Sequence, residues 1–130
     1  MGSKASLPLR ILVVDDEALI RWSLVETLSD SGYEAIAVTD AESAIQVVTD
    51  AAMPFDVALL DFRLPDSNDL TLLARLRRLA PATRIILMTA YGTPEISERA
   101  LDLGAYSVLN KPFEMNALSP LVTEAHASRF

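Results

Sequence analysis

Residues 56–66 read DVALLDFRLPD. Val57, Ala58, Leu59 and Leu60 form an apolar run, Asp61 ends it, and Leu64-Pro65-Asp66 turns the chain away. A short apolar run bounded by turn signals fits a strand covered on both faces, as in a parallel sheet. A carboxylate at the end of such a strand is either a capping group or a reactive one.

Working outward, the same pattern recurs. Residues 10–14 (RILVV) read as a buried strand. From residue 18 to about 31, Ile20, Leu24 and Leu28 fall on one helical stripe with Val25 beside it, and Gly32 is placed to end that helix. Residues 34–38 are a second strand. Asp40 caps a helix to about residue 50, with Ala41, Ala44, Ile45 and Val48 inward. Pro54 breaks the path before the third strand, 56–60. A helix follows from about 69 to 79 and stops at Pro81, then a fourth strand at 84–88. Pro94 opens a helix that ends before Gly104, residues 106–109 form a short fifth strand, and a last helix starts near 116. Strand and helix alternate five times. The expected fold is a three-layer α/β sandwich: a five-stranded parallel sheet in the flavodoxin-like order 2-1-3-4-5, with five helices.

The whole-chain properties bound the function. At 130 residues the chain is one domain by length, and 51% apolar composition supplies a core. We assign the domain to 7–127 and leave 1–6 as a disordered tail or cloning scar. There are no cysteines, which fits a reducing cytoplasm. No apolar run has the length of a membrane span. The net charge of −7 repels phosphate, so direct nucleic-acid binding is not expected.

Ligand sites in open parallel sheets form outside the carboxyl ends of the strands. That edge carries Asp15 and Asp16 after strand one, Asp61 after strand three, Thr89 after strand four and Lys111 after strand five. Singly, each has an ordinary explanation: an Asp caps a helix, a Thr ends a strand, a Lys faces solvent. Jointly, at one mouth, they do not. Carboxylates ~4 Å apart repel by about 4 kcal/mol per pair at an effective dielectric near 20. A raised pKa or a hard divalent cation such as Mg²⁺ would relieve this, and Lys111 suits a phosphoryl oxygen.

With these residues in place, the chain resembles the receiver domain of two-component response regulators. The resemblance rests on ILVVDDE at 11–17, LLDFRLPD at 59–66, ILMTA at 86–90 and GAYSVLNKPF at 104–113, in that order. It implies that Asp61 is the phosphoacceptor for a sensor histidine kinase. It also implies that Asp15, Asp16, Asp61 and the Arg63 carbonyl hold Mg²⁺, Asp15 partly through water, and that Thr89 and Lys111 hold phosphoryl oxygens. The Lys111-Pro112 bond would be cis. The domain would catalyse its own phosphorylation and slow autodephosphorylation without being an enzyme in the ordinary sense. Arg63, Ala90 and Tyr91 occupy positions that tune the site or its access. Signalling would run to an output domain or downstream regulator, often by homodimerisation through helix four, strand five and helix five. The wording MTAYGTPE and KPF is most similar to receivers of AAA+ nitrogen-regulation-type activators.

Three features depart from the family pattern. Val108 stands where a switch Tyr or Phe is usual; Tyr106, two residues earlier, is expected on the same strand face, as a core or edge aromatic. Asn68-Asp69 replaces a common Gly. Pro120 lies early in the last helix, where a bend or restart is expected. Trp22, off the apolar stripe of its helix, is expected to pack against a neighbouring helix, and His126 to be a surface residue without partners. Two other classes are weighed. A dehalogenase-like phosphotransferase would need an Asp where Arg63 stands. A phosphorylation-independent pseudo-receiver would have lost an acidic, Thr or Lys group, and all are present.

Overall fold

The computed structural model describes residues 8–90 and 92–128; the expected N-terminal tail and Tyr91 lie outside them. The elements run β1 (Arg10–Val14), α1 (Ala18–Asp30), β2 (Glu34–Val38), α2 (Ala41–Asp50), β3 (Val57–Asp61), α3 (Thr71–Leu79), β4 (Arg84–Thr89), α4 (Pro94–Asp102) and β5 (Ser107–Asn110), then a 3₁₀ turn (Met115–Ala117) and α5 (Leu118–Ala127). All strand pairs are parallel, and the order is β2-β1-β3-β4-β5, as expected.

The two-residue period of the strands divides the core. Ile11, Val13, Val57, Leu59, Ile86 and Met88 face Leu24 and Leu28 of α1 and Leu118 and Val122 of α5. Leu12, Val14, Ala58, Leu60, Ile85 and Leu87 face Ala44 of α2, Leu72, Leu73 and Leu76 of α3, and Ala100 of α4. Each fully buried Leu or Ile contributes roughly 1.5–3 kcal/mol of burial free energy. The central strands are therefore apolar on both faces, while the edge strand β2 is only partly covered.

The helix ends follow the sequence signals. Asp40 accepts from Ser43 N at 2.8 Å to cap α2, and Thr93 Oγ1 accepts from Ile96 N at 3.2 Å, with Pro94 opening α4. Gly32 and Gly104 end α1 and α4 with φ of 89° and 106°. At Gly104, Gly104 N donates to Leu101 O and Ala105 N to Ala100 O, which closes a Schellman turn that needs a left-handed residue.

Several local expectations change. The third strand lies one residue later than expected, so Asp61 is held inside the ladder, and Phe62 N still donates to Met88 O at 2.8 Å. Among the described residues no non-glycine has positive φ, so Asn68-Asp69 makes this turn without a left-handed residue, and Asp69 accepts from Thr71 N at 2.9 Å at the start of α3. The restart expected at Pro120 is found: α-helix begins at Leu118 after the 3₁₀ turn, which places Pro120 third in α5, where its missing N–H costs no intrahelical bond. His126 lies within α5, and its Nδ1 is 3.8 Å from Asp56 Oδ1, so against expectation it has a partner. Trp22 is 62% exposed, against the expectation of packing, beside Leu19 at 74%.

Candidate functional site

Parallel register brings the strand ends together. Met88 pairs with Asp61 and Thr89 with Asn110, and Lys111 N donates to Thr89 O at 2.8 Å. Asp15 N donates to Val38 O, which fixes the end of β1 against β2. The result is a cavity of about 360 Å³ at the carboxyl edge, lined by Asp16, Glu17, Asp61, Arg63, Thr89 and Lys111, with Ala90 at its wall.

Lys111 organises the charges. Its Nζ is 2.9 Å from Asp15 Oδ2, 3.3 Å from Asp61 Oδ2 and 3.4 Å from Glu17 Oε1. The lysine side chain is only 10% exposed, and Asp15 is fully buried. Burial pulls the ammonium down, but the hydrogen bond to Asp15 and the charges of Asp61 and Asp15 outweigh it and hold the lysine above its ordinary pKa. Burial pushes the Asp61 carboxyl up to about 6, and the neighbouring charge of Asp15 adds to the rise, while Lys111 opposes it. The Lys111-Pro112 bond that follows is cis.

Asp15 is engaged on every side. Its Oδ1 accepts from Glu17 N at 2.9 Å, its Oδ2 from Lys111, and its carbonyl from Arg21 Nη1 at 2.9 Å. Asp16 is exposed and projects to the cavity. Oxygens of Asp15, Asp16 and Asp61 all lie within 4.8 Å of one another. An all-oxygen, three-carboxylate set fits a hard divalent cation, with Lys111 as the counter-charge beside it. The Arg63 amide approaches Asp61 Oδ1 at 3.4 Å, and Arg63 lines the cavity. Among the described residues no buried side-chain nitrogen or oxygen lacks a hydrogen-bond partner.

The two switch positions do not share a face. Val108, half-buried, packs in the cluster containing Leu87, Ala100 and Ile96, on the α4 side. Tyr106 packs in the opposite cluster, and its hydroxyl donates to Glu124 Oε1 of α5 at 3.1 Å. The cause is the strand's start: β5 begins at Ser107, so the period of two does not extend back to Tyr106, whose N donates to Ile85 O.

Two residues near the site escape sequence reasoning. One is Arg21, whose only sequence signal is a cation in the first turns of a helix, where the dipole disfavours it. The other is Asp66, whose carboxylate accepts from Ala41 N and Glu42 N of α2. A partner 25 residues away along the chain leaves no local signal.

Comparison with known proteins agrees with this geometry. The family model described as response regulator receiver domain matches residues 11–123. Transcriptional regulatory protein PdtaR of Mycobacterium tuberculosis is 34% identical over 129 residues, covering 97% of this chain and 60% of that protein. The DNA-binding transcriptional regulator NtrC of Azospirillum brasilense is 34% identical over 115 residues, covering 88% of this chain and 24% of that protein. The chain thus spans less than two thirds of the length of both relatives. Among solved structures, a CheY-like receiver domain protein from Methanospirillum hungatei JF-1 superposes with a TM-score of 0.86 at 30% identity, covering 92% of this chain and 94% of that one.

Proposed function

The chain belongs to the response regulator receiver domain family, and on that premise we propose that Asp61 accepts a phosphoryl group from a phosphohistidine of a sensor kinase. The observation that carries this is the lysine shared between Asp15 and Asp61 at the floor of an acidic cavity. In the step, an ionised Asp61 oxygen forms the O–P bond as the P–N bond to the imidazole breaks, and the electron pair returns to the ring nitrogen. Lys111 and the Thr89 hydroxyl bind the phosphoryl oxygens. Pairing of Asp61 with Met88 of β4, and of Leu60 with Val14 of β1 just before it, holds Asp61 rigidly for in-line approach. Asp15, Asp16, Asp61 and the Arg63 carbonyl would hold a Mg²⁺, which when bound supplies positive charge opposite the phosphoryl oxygens.

The domain is a phosphoacceptor that assists its own phosphorylation and slowly loses the group to water. Its output is a population shift: Thr89 and Lys111 bond the new charge better in one arrangement of the adjoining loops. The face of α4, β5 and α5 would pass this to an output domain, a downstream regulator or a second copy. Cytoplasmic residence belongs to the same proposal; among the described residues no helix is long and apolar enough to cross a membrane.

Phosphotransfer tests it directly. A phosphorylated histidine-kinase core should pass its label to this chain in Mg²⁺, and chelation of divalent cations should stop the transfer. Transfer that persists in Asp61→Asn contradicts the assignment. A chain that takes no phosphoryl group from kinase or small donor would instead be a phosphorylation-independent interaction module.

A further inference from the structure

The connection between β3 and α3 is pinned to the start of α2. Asp66 Oδ1 accepts from Ala41 N at 2.8 Å and Oδ2 from Glu42 N at 3.0 Å, while Asp40 takes Ser43 N at 2.8 Å. Two aspartates from different loops therefore satisfy the three free amides of the first helical turn. The negative charge also complements the helix dipole.

Asp66 sits on a stiff support. Leu64 N donates to Ser67 O at 2.8 Å and Ser67 N to Leu64 O at 3.2 Å, closing a four-residue turn with Pro65 and Asp66 at its tip. Leu64 itself is 7% exposed and packs in the cluster with Ala44 and Leu72. At the other end, Asp61 is in the β3 ladder and Phe62 N is bonded to Met88 O. Only Arg63 lies between these fixed points, and Arg63 lines the cavity.

We propose that Asp66 is a positioning residue for the cation site: by clamping the 64–67 turn to α2, it sets where the Arg63 backbone meets the cavity. This rests on the proposed role of the site at Asp61. It deepens that role by naming a group that touches neither cation nor phosphoryl, yet governs the affinity for Mg²⁺. Asp40 makes an internal control, since it caps the same helix without touching the β3–α3 connection.

The test is Mg²⁺ titration of the whole chain by calorimetry, with Mg²⁺ as the probe and no phosphodonor present. Asp66→Ala should weaken Mg²⁺ binding on the order of tenfold, as loss of an outer supporting bond does at metal sites, and Asp40→Ala should leave it within about twofold. Asp66→Asn keeps an acceptor oxygen, preserves the fold if the alanine variant does not, and should fall between wild type and Asp66→Ala. Hydrogen exchange of the metal-free protein gives a second readout: the Ala41 and Glu42 amides should lose protection in Asp66→Ala and keep it in wild type. Unchanged Mg²⁺ affinity in Asp66→Ala, or equal losses in Asp66→Ala and Asp40→Ala, overturns the proposal while leaving the role of Asp61 intact. A wild type that binds no Mg²⁺ overturns both.

Discussion

Lys111 Nζ donates to Asp15 Oδ2 at 2.9 Å, joining residues 96 positions apart and tying the end of β5 to the end of β1. Without a cation, this lysine is the main compensation for three clustered carboxylates. Lys111→Met should therefore destabilise the metal-free protein at pH 7 by about 3 kcal/mol, as removing one partner of a buried ion pair does. Urea unfolding measures this. The loss should shrink toward pH 5, where Asp61 takes up a proton, and shrink again in millimolar Mg²⁺.

The raised pKa of Asp61 has its own consequence. The folded protein keeps a proton on this carboxyl up to about pH 6, whereas the unfolded chain releases it near the ordinary carboxylate value of 3.8. Asp61 therefore costs stability as pH rises between these values. In metal-free conditions Asp61→Asn should be more stable than wild type at pH 7, by at most about 3 kcal/mol, and the difference should vanish near pH 4. Denaturant midpoints across pH 4–8 check it. Phosphorylation by a small donor needs the ionised form, so its rate at low Mg²⁺ should rise through about pH 6, with the midpoint moving lower as Mg²⁺ is added.

Leu19 and Trp22, three residues apart on α1, present an exposed apolar pair just after Asp15 and Asp16. Exposed aromatics of this kind anchor partners. Trp22→Ala should slow phosphotransfer from a kinase about tenfold or more while leaving the small-donor rate unchanged. Stability should move by less than about 0.5 kcal/mol, as for other surface substitutions. Equal slowing with both donors would place Trp22 in the chemistry rather than in docking.

Tyr106 bonds Glu124 across the α5 side, away from the cluster that holds Val108. Tyr106→Phe should leave the phosphorylation rate and any phosphorylation-dependent dimerisation unchanged, and cost about 1 kcal/mol or less. Sedimentation of the phosphorylated and unphosphorylated forms, with Val108→Tyr in parallel, compares the two positions. A response lost in Tyr106→Phe would make Tyr106 the aromatic switch.

Much of this arrangement was legible in the chain because it follows from strand ends. Asp15, Asp61 and Thr89 each close an apolar run and Lys111 directly follows the last strand, and parallel topology carries all such ends to one edge. What was not legible depends on partners distant in sequence. The bonding of Asp15 to Lys111 requires β1 and β5 to be in place, and the face of Tyr106 depends on β5 starting one residue later. The clamp by Asp66 on α2 spans two loops.

The role of Asp61 as phosphoacceptor is read by incubation with a small phosphodonor and Mg²⁺, followed by mass spectrometry of the intact chain. The expected result is a single acid-stable, base-labile phosphoryl group that maps to Asp61, needs Mg²⁺ and disappears in Asp61→Asn. No adduct on the wild type, or one that persists in Asp61→Asn, would contradict it.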